Sequence, residues 1–328
     1  MWTRFKKFTC PYLYVAPAGV GLFFVGMFIG YLIPAPSPIQ QEIHWAGKDY
    51  TYISPLLACT STDTTSEGDI RKIQDDLKQY ISDQKKSGQA QDIGLYFRDL
   101  AVDRSVEIDG KLTFSPGSLL KVPIMMSVYK QTETRPGFFD EKVLFATSTK
   151  GNTLSQEVPP ANPIRIGAEY SVKELVQHMV GSSDNNATIL LYNKLGTDAV
   201  NNTFTELGLP GPALTGDYGI SVHDYAMFFR VLYNSTYLTY RESEDALHTL
   251  TKSDFKNGLV AGVPENVEVA HKFGERELES YDQLHDCGIV YAKNHPYLLC
   301  VMTRGSNLTN LASVIAGISQ IVYNDVTN

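Results

Sequence analysis

The sequence predicts an α+β fold: an antiparallel sheet built from both chain ends, flanked by helices, with a mainly helical middle. Three observations lead there. Apolar residues recur at helical spacing near the start of the globular part, throughout the middle and at the very end. Short apolar runs separated by turn residues occupy two zones, one before the middle and one after it. No internal repeat or long low-complexity tract interrupts this order. With 43% hydrophobic and 20% charged residues, the 328-residue chain has enough apolar side chain for a sizeable core.

Taken in order, the first helix is expected over 67–84, where Ile70, Ile73, Leu77 and Ile81 repeat at spacings of three and four and Ser66 offers an N-cap. A strand follows over 93–100, then a turn at Val102-Asp103-Arg104. The pieces 106–108 and 112–114 flank Asp109-Gly110, a hairpin signal, so they are expected to pair with each other. Pro116-Gly117 opens an apolar helix over 118–132. The middle supplies helices at 172–179, 186–195 and 198–207, and a further one from its Ser221 cap to about Leu232. Strands return at 267–273, 287–291 and 297–303, the last two joined by Asn294-His295-Pro296, and a helix over 308–323 closes the chain.

The strongest compositional break is near the N-terminus. Arg4, Lys6 and Lys7 precede a stretch with no charged residue before Glu42. Tyr12 to Pro34 is a run of 23 mostly apolar or small residues. As a helix it would measure roughly 34 Å, close to the thickness of a bilayer core. The bases ahead of it predict a cytoplasmic tail over 1–11, a transmembrane anchor over 12–34 and everything later outside the cell. A cleaved signal peptide is the competing reading. It fits less well because the apolar run is long and Pro34-Ala35-Pro36 is a poor cleavage site. Leu56-Leu57-Ala58-Cys59 has the look of a lipobox, but the stretch before it is polar.

Charge excludes some partners. The formal net charge is −8 and no basic stripe is present, which argues against nucleic acid. The seven histidines are dispersed and imply no metal, and nothing implies a cofactor. His271 is expected to be structural. Of the four cysteines, Cys59, Cys287 and Cys300 would lie outside, where either a disulfide or plain burial is open to them.

Three short patterns carry chemistry: Ser118-Leu119-Leu120-Lys121, Ser183-Asp184-Asn185 and Lys272-Phe273-Gly274. A serine at a helix start and a lysine three residues on share one helix face, so the amine reaches the hydroxyl. Serine is a poor nucleophile until a base takes its proton, and an amine does so only when burial or a nearby cation depresses its pKa. Lys272 would be that cation. Taken alone, each pattern also has an ordinary reading: a chance pair, a loop capping the next helix, a lysine guarding a sheet edge. Together, in this order and on these elements, they require Ser118 and Lys272 to share one cleft.

The set resembles the S-x-x-K, S-D-N and K-T-G motifs of class A β-lactamases and penicillin-binding proteins. The surrounding text is similar to the class A family as well: Phe114-Ser115-Pro116-Gly117 before Ser118, Asn186-Ala187-Thr188 after Asn185, Val269-Ala270-His271 before Lys272, and Gly288-Ile289-Val290-Tyr291. The resemblance implies a β-lactamase/transpeptidase-like domain over 66–328 behind a juxtamembrane linker at 35–65. Its α/β part would be 66–124 with 240–328, and its helical part 125–239. It implies that Ser118 is acylated, Lys121 is the base and Ser183 passes the proton to the leaving nitrogen. Asn185 would hold the substrate side chain, Lys272 would supply a positive field, and Gly274 would let substrate approach the strand. The backbone N–H groups of Ser118 and Glu275 would form an oxyanion hole.

Three departures matter. The E-x-x-L-N segment, whose glutamate activates the deacylating water, is missing. Positions 208–220 hold only Asp217 as a carboxylate, and Glu206 reads as a helix-surface residue. Phe273 replaces the threonine of K-T-G. Cys287 stands where many class A enzymes place a carboxylate-binding arginine, which leaves Arg276 or His285 as the candidate substitutes. Acylation should therefore survive and turnover should suffer. The expected partner is a small-molecule β-lactam or a peptidoglycan peptide. A peptidoglycan D,D-peptidase or transpeptidase, or an inactive wall-binding domain, are the alternatives.

Overall fold

In a computed structural model of the chain, the described residues are 50–54, 67–102, 104–146, 156, 158–212 and 218–327. The tail, the apolar segment 12–34, Ser66, Asp217, Cys10 and Cys59 lie outside them. Among the described residues no helix is long and apolar enough to cross a membrane.

Residues 45–328 form one unit. Its centre is a five-stranded antiparallel sheet of β1 (Asp92–Asp99), β2 (Arg104–Ile108), β7 (Val269–Glu277), β8 (Asp282–Val290) and β9 (Tyr297–Gly305), in the order β2-β1-β9-β8-β7. Strands from the two chain ends meet where β1 pairs with β9, Leu95 facing Val301 and Phe97 facing Leu299. Every strand alternates its side chains between two faces, and both faces here are covered. On one, α1 (Glu67–Lys86) and α8 (Leu308–Thr327) bury Leu77, Ile81, Ile315 and Ile318 against Leu95, Phe97, Leu299 and Val301.

The other face belongs to the helical middle. It consists of α2 (Lys121–Thr134), α3 (Val172–Gly181), α4 (Asn185–Leu195), α5 (Thr197–Glu206), α6 (Val222–Tyr233) and α7 (Tyr240–Leu250). Tyr96, Ala270, Ile289, Leu298 and Met302 of the sheet share one core with Met125, Leu191, Phe228 and Leu247 of these helices. Short pairings complete the frame: β3 (Thr113–Phe114) with β6 (Ile220–Ser221), and β4 (Lys142–Leu144) with β5 (Glu169–Ser171).

The expected hairpin at Asp109-Gly110 is not formed. β2 pairs with β1, and β3 pairs with β6 instead. Asp109 does turn, at φ 48°, and accepts the Leu112 N–H. Phe114 is buried and packs edge-on to His285, so the chain is drawn under the sheet rather than back along β2. Helix α7 was not foreseen; its start is polar, and a Thr239–Glu242 capping box fixes it. The Asn294 turn does join β8 to β9, with Asn294 at φ 64°.

Two further findings bear on the sequence reading. Cys287 and Cys300 are directly opposite in the β8–β9 register and form a disulfide. Within the stretch read as a linker, Tyr50–Ser54 lie against the domain. The Glu244 carboxylate accepts the N–H groups of Thr51, Tyr52 and Ile53 at 2.5, 2.7 and 3.0 Å, and Tyr291 donates its hydroxyl to Tyr52 O at 2.9 Å.

Candidate active site

Ser118 lies in a tight 3-10 turn, Gly117–Leu120, that runs straight into α2. The Lys121 backbone N–H bonds Ser118 O across this turn. In such a turn side chains three apart eclipse, so Ser118 and Lys121 present to the same side. The turn is pinned from below by Tyr225, a fully buried residue whose hydroxyl donates to Leu119 O at 2.9 Å. Gly117 is required twice over. Its φ is +52°, and a Cβ there would stand 2.4 Å from Glu275 O. Gly274 is equally constrained, its notional Cβ meeting Pro116 O at 2.4 Å. The edge strand β7 and the Ser118 turn thus touch backbone to backbone at Gly274-Glu275, where the resemblance places the second oxyanion donor.

The Ser183-Asp184-Asn185 loop enters from between α3 and α4. Asp184 caps α4, its Oδ1 accepting the N–H groups of Asn186 and Ala187 at 2.7 and 3.1 Å, while Oδ2 accepts the Ile164 N–H at 2.8 Å. Its carboxylate is fully used in holding the loop. Ser183 is completely buried and sits at φ +56°, a left-handed conformation that costs a non-glycine residue energy.

That strained serine is where the site converges. Lys121 Nζ donates to Ser183 Oγ at 3.0 Å, to Ser183 O at 2.5 Å and to Asn185 Oδ1 at 2.8 Å. Lys272 Nζ lies 3.0 Å from the same Ser183 Oγ and 2.9 Å from Phe273 O. Two buried amines therefore flank one hydroxyl. Burial pulls the Lys121 amine down to about 7, against the nearby carboxylates of Asp184 and Glu275. Lys272, fully buried, is driven well below the usual lysine range by burial first and by the Lys121 charge second. A hydroxyl has one proton and two lone pairs. It can accept from one ammonium and donate to the other amine when that amine is neutral. The arrangement links two buried amines through one hydroxyl, as a proton relay would require. Hydrogen bonds bring Lys121, Ser183, Asn185 and Lys272 together, and the turn that carries Ser118 leads into Lys121 and abuts the strand edge at Gly274 and Glu275.

The departures are visible too. Glu206 is exposed on α5 and accepts the Tyr237 hydroxyl at 2.9 Å, as a surface residue would. His285 cannot serve a substrate carboxylate: it is fully buried, bonded at Nε2 to Ser115 O (3.0 Å), and pushed down to about 4 by burial. Arg276 is half-buried, with Nη1 donating to Ser115 Oγ at 2.6 Å beside the Ser118 turn. Phe273 is buried in the core beneath α1 and α8. Sequence reasoning missed Gln156 and Val158 at the rim. The Gln156 side chain donates to Ser183 O at 2.8 Å and the Val158 N–H to Glu275 Oε1 at 3.0 Å. They lie beside a polar, aperiodic stretch that gives no local signal. Tyr225 was also missed, as one aromatic among several on α6. Among the described residues no group of His, Cys, Asp and Glu side chains stands ready to hold a metal.

The fold recurs in solved structures. A PBP-A mutant captured as an acyl-enzyme with penicillin G aligns with a TM-score of 0.66 at 21% identity, covering 78% of this chain and 96% of that one. A β-lactamase from Chitinophaga pinensis gives 0.68 at 19% identity, covering 76% and 98%. A class A representative from Bacteroides cellulosilyticus gives 0.66 at 21%, covering 77% and 98%. At these identities the likeness speaks for the fold alone. No curated protein matches the sequence. The family model described as the beta-lactamase enzyme family matches residues 72–326, almost the whole globular unit, and the chain belongs to that family of β-lactamase-like serine hydrolases.

Proposed function

We propose that the chain is a membrane-anchored extracytoplasmic hydrolase whose Ser118 is acylated by β-lactams and only slowly released. The observation that carries this is the shared Ser183 hydroxyl, 3.0 Å from both the Lys121 and the Lys272 amine. A neutral Lys121 takes the Ser118 proton as the hydroxyl attacks the carbonyl. Ser183 relays that proton to the departing ring nitrogen, and Lys272 keeps the field positive where oxyanion charge grows. The N–H groups of Ser118 and Glu275 are assigned to that oxyanion and Asn185 to the substrate side chain.

Slow release rests on the carboxylates. Asp184 spends both oxygens on backbone N–H groups, and Glu275 accepts the Val158 N–H. Glu206 is turned away. A water needs a base to attack an acyl-enzyme, and positions 208–220 hold no glutamate. The extracytoplasmic placement is supported by the basic-then-apolar segment ahead of the domain and by the Cys287–Cys300 disulfide, a bond that persists in oxidising compartments.

Incubation with a chromogenic β-lactam, followed by intact mass over time, tests the reading. A long-lived adduct with slow colour is expected, absent in Ser118→Ala. Fast colour without an adduct refutes the slow release. No adduct in the wild type refutes the function. The missing glutamate equally suits a peptidoglycan D,D-peptidase. Release of D-alanine from a pentapeptide, alongside a stable adduct, would favour that second reading.

A further inference from the structure

Phe273 stands where the resemblance calls for threonine, and its ring takes up a defined place. It stacks on Phe255 with centroids 4.3 Å apart and planes 20° from parallel. The Lys272 Nζ lies over the same ring, 4.0 Å from its centroid. We propose that the stacked Phe273–Phe255 pair is a π floor that positions Lys272 and supports its positive charge, so that both phenylalanines are positioning residues for the acylation of Ser118 proposed above.

The argument starts from what Lys272 lacks. It is fully buried, and its hydrogen-bond partners are the Ser183 hydroxyl and the Phe273 carbonyl, both neutral. The charges around it are mixed. Lys121 on α2 shares Ser183 and repels it, while Asp286 on β8 and Glu275 on β7 attract it. Asp184, capping α4, acts chiefly on Lys121. Asp286 is itself bound to His271 Nδ1 at 2.8 Å and to the Leu259 N–H at 2.9 Å. A buried ammonium without a carboxylate contact needs another source of negative potential, and the face of an aromatic ring supplies one within about 6 Å. Phe255 behind Phe273 keeps that face square to the amine. A threonine could offer a hydroxyl to substrate but no such face. The substitution therefore exchanges a substrate contact for support of Lys272.

The test uses the full chain and measures acylation by penicillin G against pH, read by intact mass. The limb on which acylation falls with rising pH is assigned to loss of the Lys272 charge. Replacing Phe273 by a trifluorinated phenylalanine keeps the shape of the ring but withdraws charge from its face. It should move that limb down by about one pH unit, the scale of a desolvated cation–π contact. Phe273→Leu should do at least as much, Phe255→Leu about half, and the acid limb near neutral should stay. If the leucine variant shifts while the trifluorinated ring does not, the effect is packing and the proposal falls. It falls as well if neither shifts. Should Phe273→Leu not fold, the fluorinated variant and Phe255→Leu decide. Titrating the Lys272 ammonium by NMR in the same variants reads the floor even if the wild type forms no adduct, which would instead sink the acylation reading.

Discussion

Two buried ionisable sites lie one residue apart on β7 and are built on opposite principles. His271 is paired with Asp286 at 2.8 Å, and the second Asp286 oxygen takes the Leu259 N–H. Both side chains are completely buried. Lys272, equally buried, meets a second lysine through a shared hydroxyl. The first site gives a buried carboxylate a ring nitrogen and a backbone N–H as partners, as a structural site does. The second gathers two buried amines, each of which disfavours charge on the other, and spends stability on it. The difference is what the proposed function predicts for a face that does chemistry: buried groups that a fold would not choose for itself are gathered at Ser183.

Breaking the relay should give the largest effect. Lys121→Ala removes the base and should lower the rate of adduct formation by about 10³–10⁴-fold, the upper range for a positioned general base. Melting curves should show the variant folded. A variant that acylates at near wild-type speed would move the base elsewhere.

Breaking the other pair should show up in stability. Asp286→Ala leaves His271 and the Leu259 N–H buried without their partner and should cost about 2–5 kcal/mol in urea unfolding, from two buried groups left unpaired. Gly258 lies within the same cluster, where a Cβ would stand 2.3 Å from Asp286 Oδ2. A loss under about 1 kcal/mol would mean the pair is not the anchor its geometry suggests.

The contrast between the two sites also explains what could be read in advance. The clustering of Lys121, Ser183, Asn185 and Lys272 was legible only from three short patterns read together, whereas the Ser118–Lys121 spacing on one turn is local. The sheet from both chain ends was legible because apolar runs survive at each end. Pairings that depend on distant segments were not. Asp109-Gly110 turns as expected, yet its flanks pair elsewhere because Phe114 is drawn toward His285. The Cys287–Cys300 bond needed the β8–β9 register to be known. The partnership of Phe273 with Phe255 crosses a loop and leaves no periodic trace. Helix α7 left a signal in Thr239 and Glu242, but its first turns carry too few apolar residues to draw attention.

The reverse experiment sharpens the comparison from the other side. Lys272→Met replaces a buried like charge with an apolar chain of similar length. It should abolish rapid acylation and raise unfolding stability by about 1–3 kcal/mol at neutral pH, since exchanging buried charge for well-packed apolar atoms often stabilises. A destabilised variant would show that Lys272, like Asp286, holds the fold together.

The pH dependence of stability gives the smallest and most specific signal. Lys121 titrates near 7 when folded and near its ordinary value of 10.5 when unfolded. Between those values the unfolded chain binds more protons than the folded one, so stability rises with pH across that window. The burden is greatest below about pH 7, where the buried amine must carry its charge, and it fades toward pH 10. Lys121→Met removes the group, so its stabilising effect should be largest near pH 6 and shrink steadily above neutrality, as read by melting temperature at fixed ionic strength. Acylation should follow the same ionisation in the opposite sense, falling about tenfold per pH unit below 7 as the base is protonated. If the Lys121→Met difference were flat from pH 6 to 10 while the acid limb of acylation persisted, the group titrating in catalysis would not be Lys121, and the two amines at Ser183 would have to exchange roles.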